Sequence, residues 1–212
     1  MAYDLYVITD ETVAGGRSHA EIARQAVVGE ADVVQLRDKT LGCRELVRVG
    51  RDIRAITRKT GAKCIVNDRL DVAIACGADG VHLGLGDLRV DVARQLAPPG
   101  FLVGVSVGSV AEAVQAVKDG ADYLAVSPVF ATTSKEDAGP GYGLPLLRAV
   151  CARVCVPVVA IGGISRANAG DVIAAGAAGV AVISAVVGRP DIAAAARKMK
   201  DVIVRAKQER SS

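Results

Sequence analysis

Short apolar runs alternate with longer segments of helical period along the whole chain. The runs are rich in β-branched residues and almost continuously hydrophobic, which is typical of strands buried on both faces. We predict eight strands, at Leu5–Thr9, Val33–Leu36, Cys64–Val66, Gly80–Leu83, Leu102–Val107, Tyr123–Val129, Val158–Ile161 and Val180–Ser184. Apolar residues at helical spacing predict eight helices between them, at Ala20–Val28, Arg44–Arg58, Leu70–Cys76, Leu88–Leu96, Val110–Asp119, Leu144–Arg153, Ala167–Ala175 and Ile192–Ala206.

A short motif also recurs before every second predicted strand. Its copies are GEADVV (29–34), GADGVHL (77–83), GADYLAV (120–126) and GAAGVAV (176–182). In each copy we expect the glycine to end a helix in the left-handed conformation, one turn before a strand begins. Strand–helix alternation predicts a parallel sheet with right-handed crossovers. Repetition at every second unit favours a closed barrel, because alternate strands fill equivalent interior layers. We therefore predict an α/β fold, a single-domain (β/α)8 TIM barrel over residues 1–212.

Composition narrows the possible partners. The 212 residues carry 26 basic and 23 acidic side chains, only 3% are aromatic and none is tryptophan, so the core must be aliphatic. The charges are interspersed and no aromatic platform is available for stacking bases, which argues against nucleic-acid binding. Charged residues interrupt the apolar stretches, so we expect no membrane span.

Five cysteines, an odd count without a CxxC pair, favour reduced thiols and a cytoplasmic location. No histidine or second cysteine pair completes a zinc site. The start, MAYDLYVITDE, has no basic segment before its apolar run and does not resemble a signal peptide. We expect His82 to be a hydrogen-bonded histidine of the barrel interior and His19 to begin the first helix.

In this fold the active site forms where the strands end at their carboxyl side. The second predicted strand runs into Gln35-Leu36-Arg37-Asp38-Lys39. In an extended run the alternate side chains of Gln35, Arg37 and Lys39 face one way, and this set suits a polyphosphate or another anion. A solvated loop is the alternative, although arginine is unusual next to a buried strand.

Two aspartates follow neighbouring predicted strands. Asn67-Asp68 follows the third strand, and Asp87 follows the fourth. Each aspartate alone is as consistent with helix capping as with chemistry. Together they lie at the tips of strands about 4.8 Å apart, so they can share one hard cation. Since Mg²⁺ is usually held by one or two carboxylates and substrate phosphates, the pair predicts a metal-bound diphosphate beside Arg37 and Lys39.

The remaining strand ends carry weaker signals. Ser106 at the end of the fifth strand decides nothing by itself. The segment 131–143 is longer than most loops of such units and contains hydroxyls, a lysine and glycines, which favours a lid; a disordered insertion is the alternative. Gly163 after the seventh strand and Ile183-Ser184 at the end of the eighth predict a phosphate site built from backbone N–H groups.

Together these motifs resemble the thiamine phosphate synthase family. The resemblance rests on VQLRDK (34–39), VNDRLDVAIACGADGVHLG (66–84) with Asp87, GVSV (104–107), SPVFATTSK (127–135), VVAIGGI (158–164) and VAVISA (180–185). The motifs occur in order at the expected strand ends and cover almost the whole chain. The resemblance implies an enzyme that joins 4-amino-2-methyl-5-hydroxymethylpyrimidine diphosphate to a (carboxy)thiazole phosphate. In such an enzyme, departure of pyrophosphate would leave a pyrimidine-methyl cation. The thiazole nitrogen would capture this cation, which gives thiamine phosphate.

The resemblance also implies roles for individual residues. The two phosphorylated small molecules would be its partners and Mg²⁺ its cofactor, bound by Asp68 and Asp87. The pyrimidine diphosphate would contact Gln35, Leu36, Arg37, Asp38, Lys39, Asn67, Ser106 and Lys135. The thiazole phosphate would contact Thr132, Thr133, Ser134, Gly163, Ile183 and Ser184.

The chain departs from the family pattern at a few positions. Leu85 and Gly86 replace a commonly found glutamine and acidic residue, and Ser134 replaces a threonine. Gly108 stands where a tautomerase branch carries histidine, so a thiazole tautomerase is one alternative function and a catalytically inactive, ligand-binding barrel is another. Gly108 together with Lys135 and both aspartates favours the synthase.

Overall fold

Eight parallel strands close into a barrel, and a helix follows each strand on the outside. The computed structural model describes residues 3–132 and 140–211. The strands are β1 (Leu5–Ile8), β2 (Val33–Leu36), β3 (Lys63–Asn67), β4 (Gly80–Leu83), β5 (Leu102–Val107), β6 (Tyr123–Val126), β7 (Val158–Ile161) and β8 (Gly179–Val182). The helices are α1 (His19–Val28), α2 (Cys43–Arg58), α3 (Leu70–Cys76), α4 (Val90–Leu96), α5 (Val110–Lys118), α6 (Gly143–Arg153), α7 (Ala169–Ala174) and α8 (Ile192–Ser211). Each strand pairs with its neighbour in the chain, and β1 pairs with β8. The predicted (β/α)8 barrel is confirmed.

Alternate residues of each strand face either the barrel interior or the helices. Tyr6, Ile65 and Tyr123 belong to the interior cluster and are almost fully buried. Val7 and Val34 belong to the cluster between the barrel and its helices and are fully buried as well. Because both faces of every strand are buried, the strands need apolar residues at nearly every position, which explains the continuous runs in the sequence.

Three strands end earlier than the sequence predicts, and β1 is the first of them, since it ends at Ile8 and not at Thr9. β6 ends at Val126 and not at Val129, because Pro128 has no N–H group to donate to the sheet. β8 ends at Val182 and not at Ser184, because the chain turns at Ile183, whose carbonyl accepts a hydrogen bond from the Val187 N–H at 2.7 Å.

The last helix is longer than predicted. α8 continues to Ser211 and does not end at Ala206. The added residues are mostly good helix formers, and Arg210 Nη1 donates to the carbonyl of Ile173 at 2.8 Å, which ties this end of α8 to α7. Within residues 3–132 and 140–211 no helix combines the length and apolar character needed to cross a membrane.

The sequence repeat has a structural role at the amino ends of the strands. Asp32 Oδ2 accepts a hydrogen bond from the Leu5 N–H at 2.9 Å, and Asp79 Oδ2 accepts one from the Cys64 N–H at 2.8 Å. Asp122 makes the same contact with β5 at 2.7 Å. Each aspartate therefore joins an even-numbered strand to the odd-numbered strand before it. The fourth copy of the motif has alanine at this position.

The predicted left-handed glycine is present in three of the four copies. Gly77, Gly120 and Gly176 have φ angles of 71°, 100° and 109°. The prediction is wrong for Gly29, which has a φ of −85°; the left-handed residue is Glu30, with a φ of 67°.

Packing against α8 explains the glycine at position 29. A Cβ atom there would lie 2.5 Å from both the Ala193 carbonyl oxygen and the Ala196 Cβ. Gly29 is therefore needed for the close approach of α1 to α8, and the left-handed residue before β2 is the next one, Glu30.

We expect Asp79→Ala to lower the free energy of unfolding by about 2–3 kcal/mol, because the buried Cys64 N–H loses its charged acceptor. For a chain of this length the melting temperature should fall by roughly 5–10 °C. The measurement is thermal and urea unfolding followed by circular dichroism. Asp52→Ala removes an exposed aspartate that pairs with Arg48 on α2 and should change stability by no more than about 0.5 kcal/mol. Equal losses in the two variants would contradict the role assigned to the repeat.

Candidate active site at the carboxyl end of the barrel

Asp68 and Asp87 meet at the rim of the barrel. β3 and β4 are paired in parallel, with Asn67 opposite His82, so the residues that follow them emerge side by side. The two carboxyl groups are hydrogen-bonded to each other. Lys39 Nζ lies 2.5 Å from Asp68 Oδ2. The structure therefore places two carboxylates and a cation together, as the sequence predicts.

The backbone at this point is strained. Asp68 has a φ of 62°, one of two non-glycine residues with positive φ among the described residues. That conformation costs an L-residue about 1–2 kcal/mol. Asp68 N–H donates to the carbonyl of His82 at 2.8 Å, which holds the turn against β4. Strain of this kind is typical of sites where a side chain must point in a required direction.

Neither aspartate caps a helix. The residue before α3 is Arg69 and the residue before α4 is Arg89, and neither helix start has a side-chain capping hydrogen bond. Asp87 Oδ2 instead accepts a hydrogen bond from the Gly84 N–H at 2.7 Å within its own loop. The capping alternative is therefore not what the structure shows for this pair.

The proximity of the two carboxyl groups changes their acidity. Burial raises the pKa of Asp87, and the hydrogen bond to Asp68 raises it further. Burial acts to raise the pKa of Asp68 as well, but the hydrogen bonds to Lys39 and Asp87 bring it below its usual value. One proton is therefore retained between the two carboxyl groups above the pH at which a lone aspartate loses it.

The same geometry suits a hard divalent cation. Carboxylate oxygens are the ligands that Mg²⁺ prefers, and one or two of them with substrate phosphates complete its usual shell. The ammonium group of Lys39 contacts Asp68, which shows that the pair of carboxylates attracts positive charge. Within the described part of the chain no group of three or more acidic, histidine or cysteine side chains forms a fuller metal site. The residues present therefore fit Mg²⁺ bound together with a phosphorylated substrate.

The raised pKa of Asp87 predicts a pH dependence for metal binding. A cation competes with the retained proton, so affinity should be complete above the raised pKa and should fall about tenfold per pH unit below it. The window lies above the usual range of an aspartate, because burial and Asp68 raise the pKa. Binding of Mn²⁺, followed by electron paramagnetic resonance, measures this directly. In Asp87→Asn the dependence in that window should disappear; its persistence would contradict the shared-proton interpretation.

The loop after β2 differs from the predicted extended run. β2 ends at Leu36, and Asp38 Oδ1 accepts hydrogen bonds from the Thr40 and Leu41 N–H groups at 2.7 and 2.8 Å. The predicted end of β2 at Leu36 is confirmed. The extended run expected over residues 35–39 does not continue past it, because the Asp38 side chain forms a turn. Although burial acts to raise it, the hydrogen bonds from Leu41 and Thr40 lower the pKa of Asp38 to about 2.

Contacts made by this loop also tie it to β1. Arg37 Nη1 lies 3.3 Å from Asp10 Oδ2. His19, the first residue of α1 as predicted, is buried and bonds to Thr9 Oγ1 at 2.7 Å and to Asp38 Oδ2 at 3.1 Å. Sequence reasoning did not identify the roles of Asp10 and His19, because their partners lie in other loops.

The other candidates for the pyrimidine diphosphate lie at different depths. Gln35 is buried inside the barrel, while Asn67 and Ser106 are half-buried at the ends of β3 and β5. Leu36 packs between the barrel and the helices, so only its backbone can reach a ligand at the mouth. Gln35, Asn67 and Ser106 therefore line the barrel between its rim and its interior.

A chain of hydrogen bonds crosses the interior below the rim. Gln35 Nε2 donates to Tyr6 Oη at 2.8 Å, and Tyr6 Oη lies 3.0 Å from Tyr123 Oη. Tyr123 Oη lies 3.1 Å from His82 Nδ1, and His82 Nε2 lies 3.0 Å from Ser106 Oγ. His82 is therefore the hydrogen-bonded interior histidine that the sequence predicts. The two tyrosines were not singled out, although their alternating positions in β1 and β6 point them inward.

The thiazole-phosphate candidates lie on the other side of the mouth, at the ends of β6, β7 and β8. Gly163 has a φ of 62°, and a Cβ there would come within 2.5 Å of the Ala131 carbonyl oxygen. This close approach brings Gly163 beside the segment that carries the half-buried Thr132. Ile183 lines the barrel interior and begins a turn, and Ser184 in that turn is exposed. The predicted Thr133, Ser134 and Lys135, and with them most of the predicted lid, lie outside the described residues.

Tyr142 occupies the space beside Gly108. A Cβ at position 108 would lie 2.5 Å from Tyr142 Oη. The contacting atoms belong to the end of the exposed Tyr142 side chain, so a larger residue at position 108 would require only that Tyr142 move.

The chain matches known proteins along almost its whole length. Residues 5–186 match the family described as thiamine monophosphate synthase. The thiamine-phosphate synthase of Methanoregula boonei is 65% identical over 209 residues, which are 99% of this chain and 97% of that protein. That of Moorella thermoacetica is 54% identical over 205 residues, which are 97% of this chain and 98% of that protein.

Solved structures show the same fold. The thiamine phosphate pyrophosphorylase from Pyrococcus furiosus superposes with a TM-score of 0.89 at 41% identity, and the match covers 96% of each chain. A 3-hexulose-6-phosphate synthase superposes with a TM-score of 0.67 at 22% identity, covering 94% of this chain and 99% of that one. At this low identity, the similarity to the 3-hexulose-6-phosphate synthase concerns only the barrel fold.

Proposed function

The chain belongs to the thiamine monophosphate synthase family, and from this membership we infer that it is a transferase of thiamine biosynthesis that forms thiamine phosphate. We propose that its substrates are 4-amino-2-methyl-5-hydroxymethylpyrimidine diphosphate and a (carboxy)thiazole phosphate. The bond between the pyrimidine methylene carbon and the diphosphate oxygen breaks, and the thiazole nitrogen bonds to that carbon. Pyrophosphate leaves with the electron pair of the broken bond, and a carboxythiazole phosphate would also lose its carboxyl group as carbon dioxide to give thiamine phosphate.

The observation that carries the assignment of the site is the contact between Asp68 and Asp87, with Lys39 beside them. These two carboxylates would hold Mg²⁺ against the diphosphate. When bound, the ion neutralises charge that develops on the departing pyrophosphate. Lys39 is well placed to exchange its carboxylate contact for a phosphate oxygen when the substrate enters, since its side chain is 62% exposed.

The other cations at the mouth would serve the same leaving group. Arg37 is held toward the mouth by Asp10, and the resemblance adds Lys135 from the segment outside the described residues. Fixed positive groups stabilise developing negative charge more than water does, because they need no reorganisation during the reaction. Asn67, at the end of β3 and next to Asp68, would hold the diphosphate from the same side.

The second substrate would bind across the mouth from the metal pair. Gly163 and the turn that starts at Ile183 offer backbone groups to the thiazole phosphate, and Thr132 to Ser134 offer hydroxyls. β5 on one side and β1 and β2 on the other separate these loops from those of Asp68 and Asp87. The two phosphorylated groups would therefore face one another across the barrel axis, which brings the thiazole nitrogen and the pyrimidine methylene together and keeps the charges apart.

A pyrimidine-methyl cation must be protected from water until the thiazole captures it. The interior below the mouth is lined by the apolar residues Ile8, Ala125 and Ile161 and by hydrogen-bonded polar groups. An enclosed, mostly apolar floor of this kind excludes water from a reactive carbon. The predicted lid would close the site from above.

Pyrophosphate release measured with each substrate alone and with both, with and without Mg²⁺, tests the proposed function. Release only when everything is present supports the synthase. Isomerisation of a carboxythiazole phosphate without release would assign the tautomerase activity, which the glycine at position 108 disfavours. Binding of both substrates without any reaction would assign the inactive, ligand-binding barrel. We also propose the cytoplasm as the location, because an odd number of cysteines suits a reducing compartment.

A further inference from the structure

The loop between β1 and α1, residues 9–18, lies between the loops of the two proposed anion sites. β1 pairs with β2 on one side and with β8 on the other. The carboxyl ends of the strands share one rim, so this first loop has the loop after β2 and the turn after β8 as its neighbours. The first of these neighbours is proposed to bind the diphosphate and the second the thiazole phosphate.

Hydrogen bonds within the first loop give it a fixed shape. Asp10 Oδ1 accepts a hydrogen bond from the Val13 N–H at 2.9 Å. Glu11 closes the loop, since its Oε1 accepts from the His19 N–H at 2.9 Å and its carbonyl accepts from the Gly16 N–H at 2.8 Å. A segment whose own geometry is fixed in this way can hold groups of neighbouring loops in place.

On the β2 side, His19 joins the first loop to the turn formed by Asp38. Asp38 has a pKa of about 2 and is ionised, so it can only accept, and His19 Nε2 donates to its Oδ2 at 3.1 Å. His19 Nδ1 lies 2.7 Å from Thr9 Oγ1, which accepts from the Arg37 N–H at 3.3 Å. Because His19 is only 1% exposed, water does not compete for these partners. One buried ring therefore fixes the backbone at Arg37 and the side chain of Asp38.

On the β8 side, Arg17 joins the same loop to the turn that starts at Ile183. Arg17 Nη1 donates to the Pro190 carbonyl at 3.0 Å, and Nη2 donates to the Val187 carbonyl at 3.4 Å. Its Nε donates to the Ala14 carbonyl within the first loop at 2.7 Å. Since the Val187 N–H closes the turn on the Ile183 carbonyl, Arg17 holds the turn from its far end.

Apolar packing provides a second contact between the first loop and this turn. A Cβ at position 188 would meet Val13 Cγ1 at 3.4 Å and would lie 2.9 Å from the Ser184 carbonyl oxygen. Gly188 therefore keeps the turn compact, with Val13 of the first loop against it. Val13 also packs against the interior cluster of the barrel, so the first loop is anchored to the barrel as well as to the turn.

We propose that the first loop aligns the two anion-binding loops, with His19 as a positioning residue for the diphosphate and Arg17 as a positioning residue for the thiazole phosphate. His19 acts through Asp38 and Arg37, and Arg17 acts through the backbone of residues 183–190. The alignment matters because the two reacting atoms must be held within bonding reach of each other. This inference rests on the proposed function and adds one segment that adjusts the two substrate sites separately.

Two variants of His19 test the β2 side. His19→Asn places its amide at the level of Nδ1 and loses the contact with Asp38. His19→Gln reaches as far as Nε2 and keeps a donor for Asp38. Both variants remove the ring, so a difference between them reports the contact with Asp38 and not the loss of the imidazole.

Arg17→Met tests the β8 side. Methionine keeps the stem of the side chain and removes the three hydrogen bonds to carbonyl groups. Arg24→Met is the matched control, because Arg24 is exposed and pairs with the exposed Glu21 on α1.

The first measurement needs no ligand. Amide hydrogen exchange, followed by nuclear magnetic resonance, reports the local opening of each loop. In His19→Asn the Leu41 N–H, which donates to Asp38 Oδ1, should exchange about three- to tenfold faster, whereas in His19→Gln its rate should not change. In Arg17→Met the Val187 N–H should be the faster one and Leu41 should keep its rate. Unchanged exchange at both groups would overturn the proposal.

The second measurement is the KM of each substrate. His19→Asn should raise the KM of the pyrimidine diphosphate roughly three- to tenfold and leave that of the thiazole phosphate as it is. Arg17→Met should have the reverse effect. His19→Gln and Arg24→Met should keep the constants of the unmodified protein.

Three results separate this proposal from the function on which it rests. If both KM values rise together in each variant, the first loop supports the fold only, and the proposal is overturned although the enzyme is active. If His19→Gln behaves like His19→Asn, the contact with Asp38 does not position the loop, and the proposal is likewise overturned. If the unmodified protein releases no pyrophosphate, the proposed function fails, while hydrogen exchange still decides whether the first loop holds its two neighbours.

Discussion

Asp87→Asn is expected to lower the rate of pyrophosphate release by about 10²–10³-fold and to remove most of its response to Mg²⁺. Asparagine keeps the size of the side chain and an oxygen that can accept from the Gly84 N–H, which Asp87 holds at 2.7 Å. The substitution removes the negative charge that the metal needs. Turnover therefore falls without a comparable loss of stability. Initial rates over a Mg²⁺ titration, with the melting temperature of each variant, measure both effects.

A matched control lies four residues along the chain. Asp91→Asn changes an exposed aspartate that pairs with Arg89 in the first turn of α4, and it should leave turnover and Mg²⁺ dependence as they are. Asp68→Asn should behave like Asp87→Asn, since the two carboxylates act on one ion. Unchanged kinetics in the double variant of Asp68 and Asp87 would remove the metal assignment and leave the pair a structural role.

Lys135→Ala should lower turnover by about 10²-fold and leave the melting temperature within about 1 °C. Lys135 lies outside the described residues, so this expectation rests on its place in the SPVFATTSK motif. The physical reason is the charge on the leaving pyrophosphate: an ammonium that closes over it stabilises the transition state more than the bound substrate. Single-turnover kinetics separate this effect from slow product release.

The control for Lys135→Ala should remove a lysine that lies far from the mouth of the barrel. Lys118 ends α5, at the opposite end of the barrel, and Lys118→Ala should not change turnover. Loss of folding in Lys135→Ala would contradict the lid interpretation, since a lid residue makes few contacts in the open state. A rise in the KM of the pyrimidine diphosphate with unchanged kcat would assign Lys135 to substrate binding alone.

The sequence was most informative where physics leaves little choice. A parallel strand buried on both faces must be apolar along its length, so the eight strands could be recognised as continuous apolar runs in the sequence. The ends of these runs were less certain. Pro128 stopped β6 because proline lacks an N–H, whereas Ile183 stopped β8 through a turn whose hydrogen bonds no local pattern indicated.

The site was predictable only in part. Asp68 and Asp87 could be paired from the sequence, because consecutive strands of a barrel are neighbours and their carboxyl ends share one rim. Asp38 could not be recognised as the residue that forms a turn, since its partners are backbone N–H groups and the buried His19. The position of the Arg37 side chain depends on its contact with Asp10, which the sequence places in a different loop.

Alone, the sequence determined the barrel, the edge of the barrel that carries the chemistry and the types of residue placed there. It did so because burial and hydrogen-bond satisfaction act on every residue locally. Only the tertiary structure decided that Tyr6 and Tyr123 link Gln35 to His82 and Ser106. It also decided that Glu30 and not Gly29 turns left-handed. Both outcomes depend on contacts between residues far apart in the chain, and such contacts exist only after the barrel has closed.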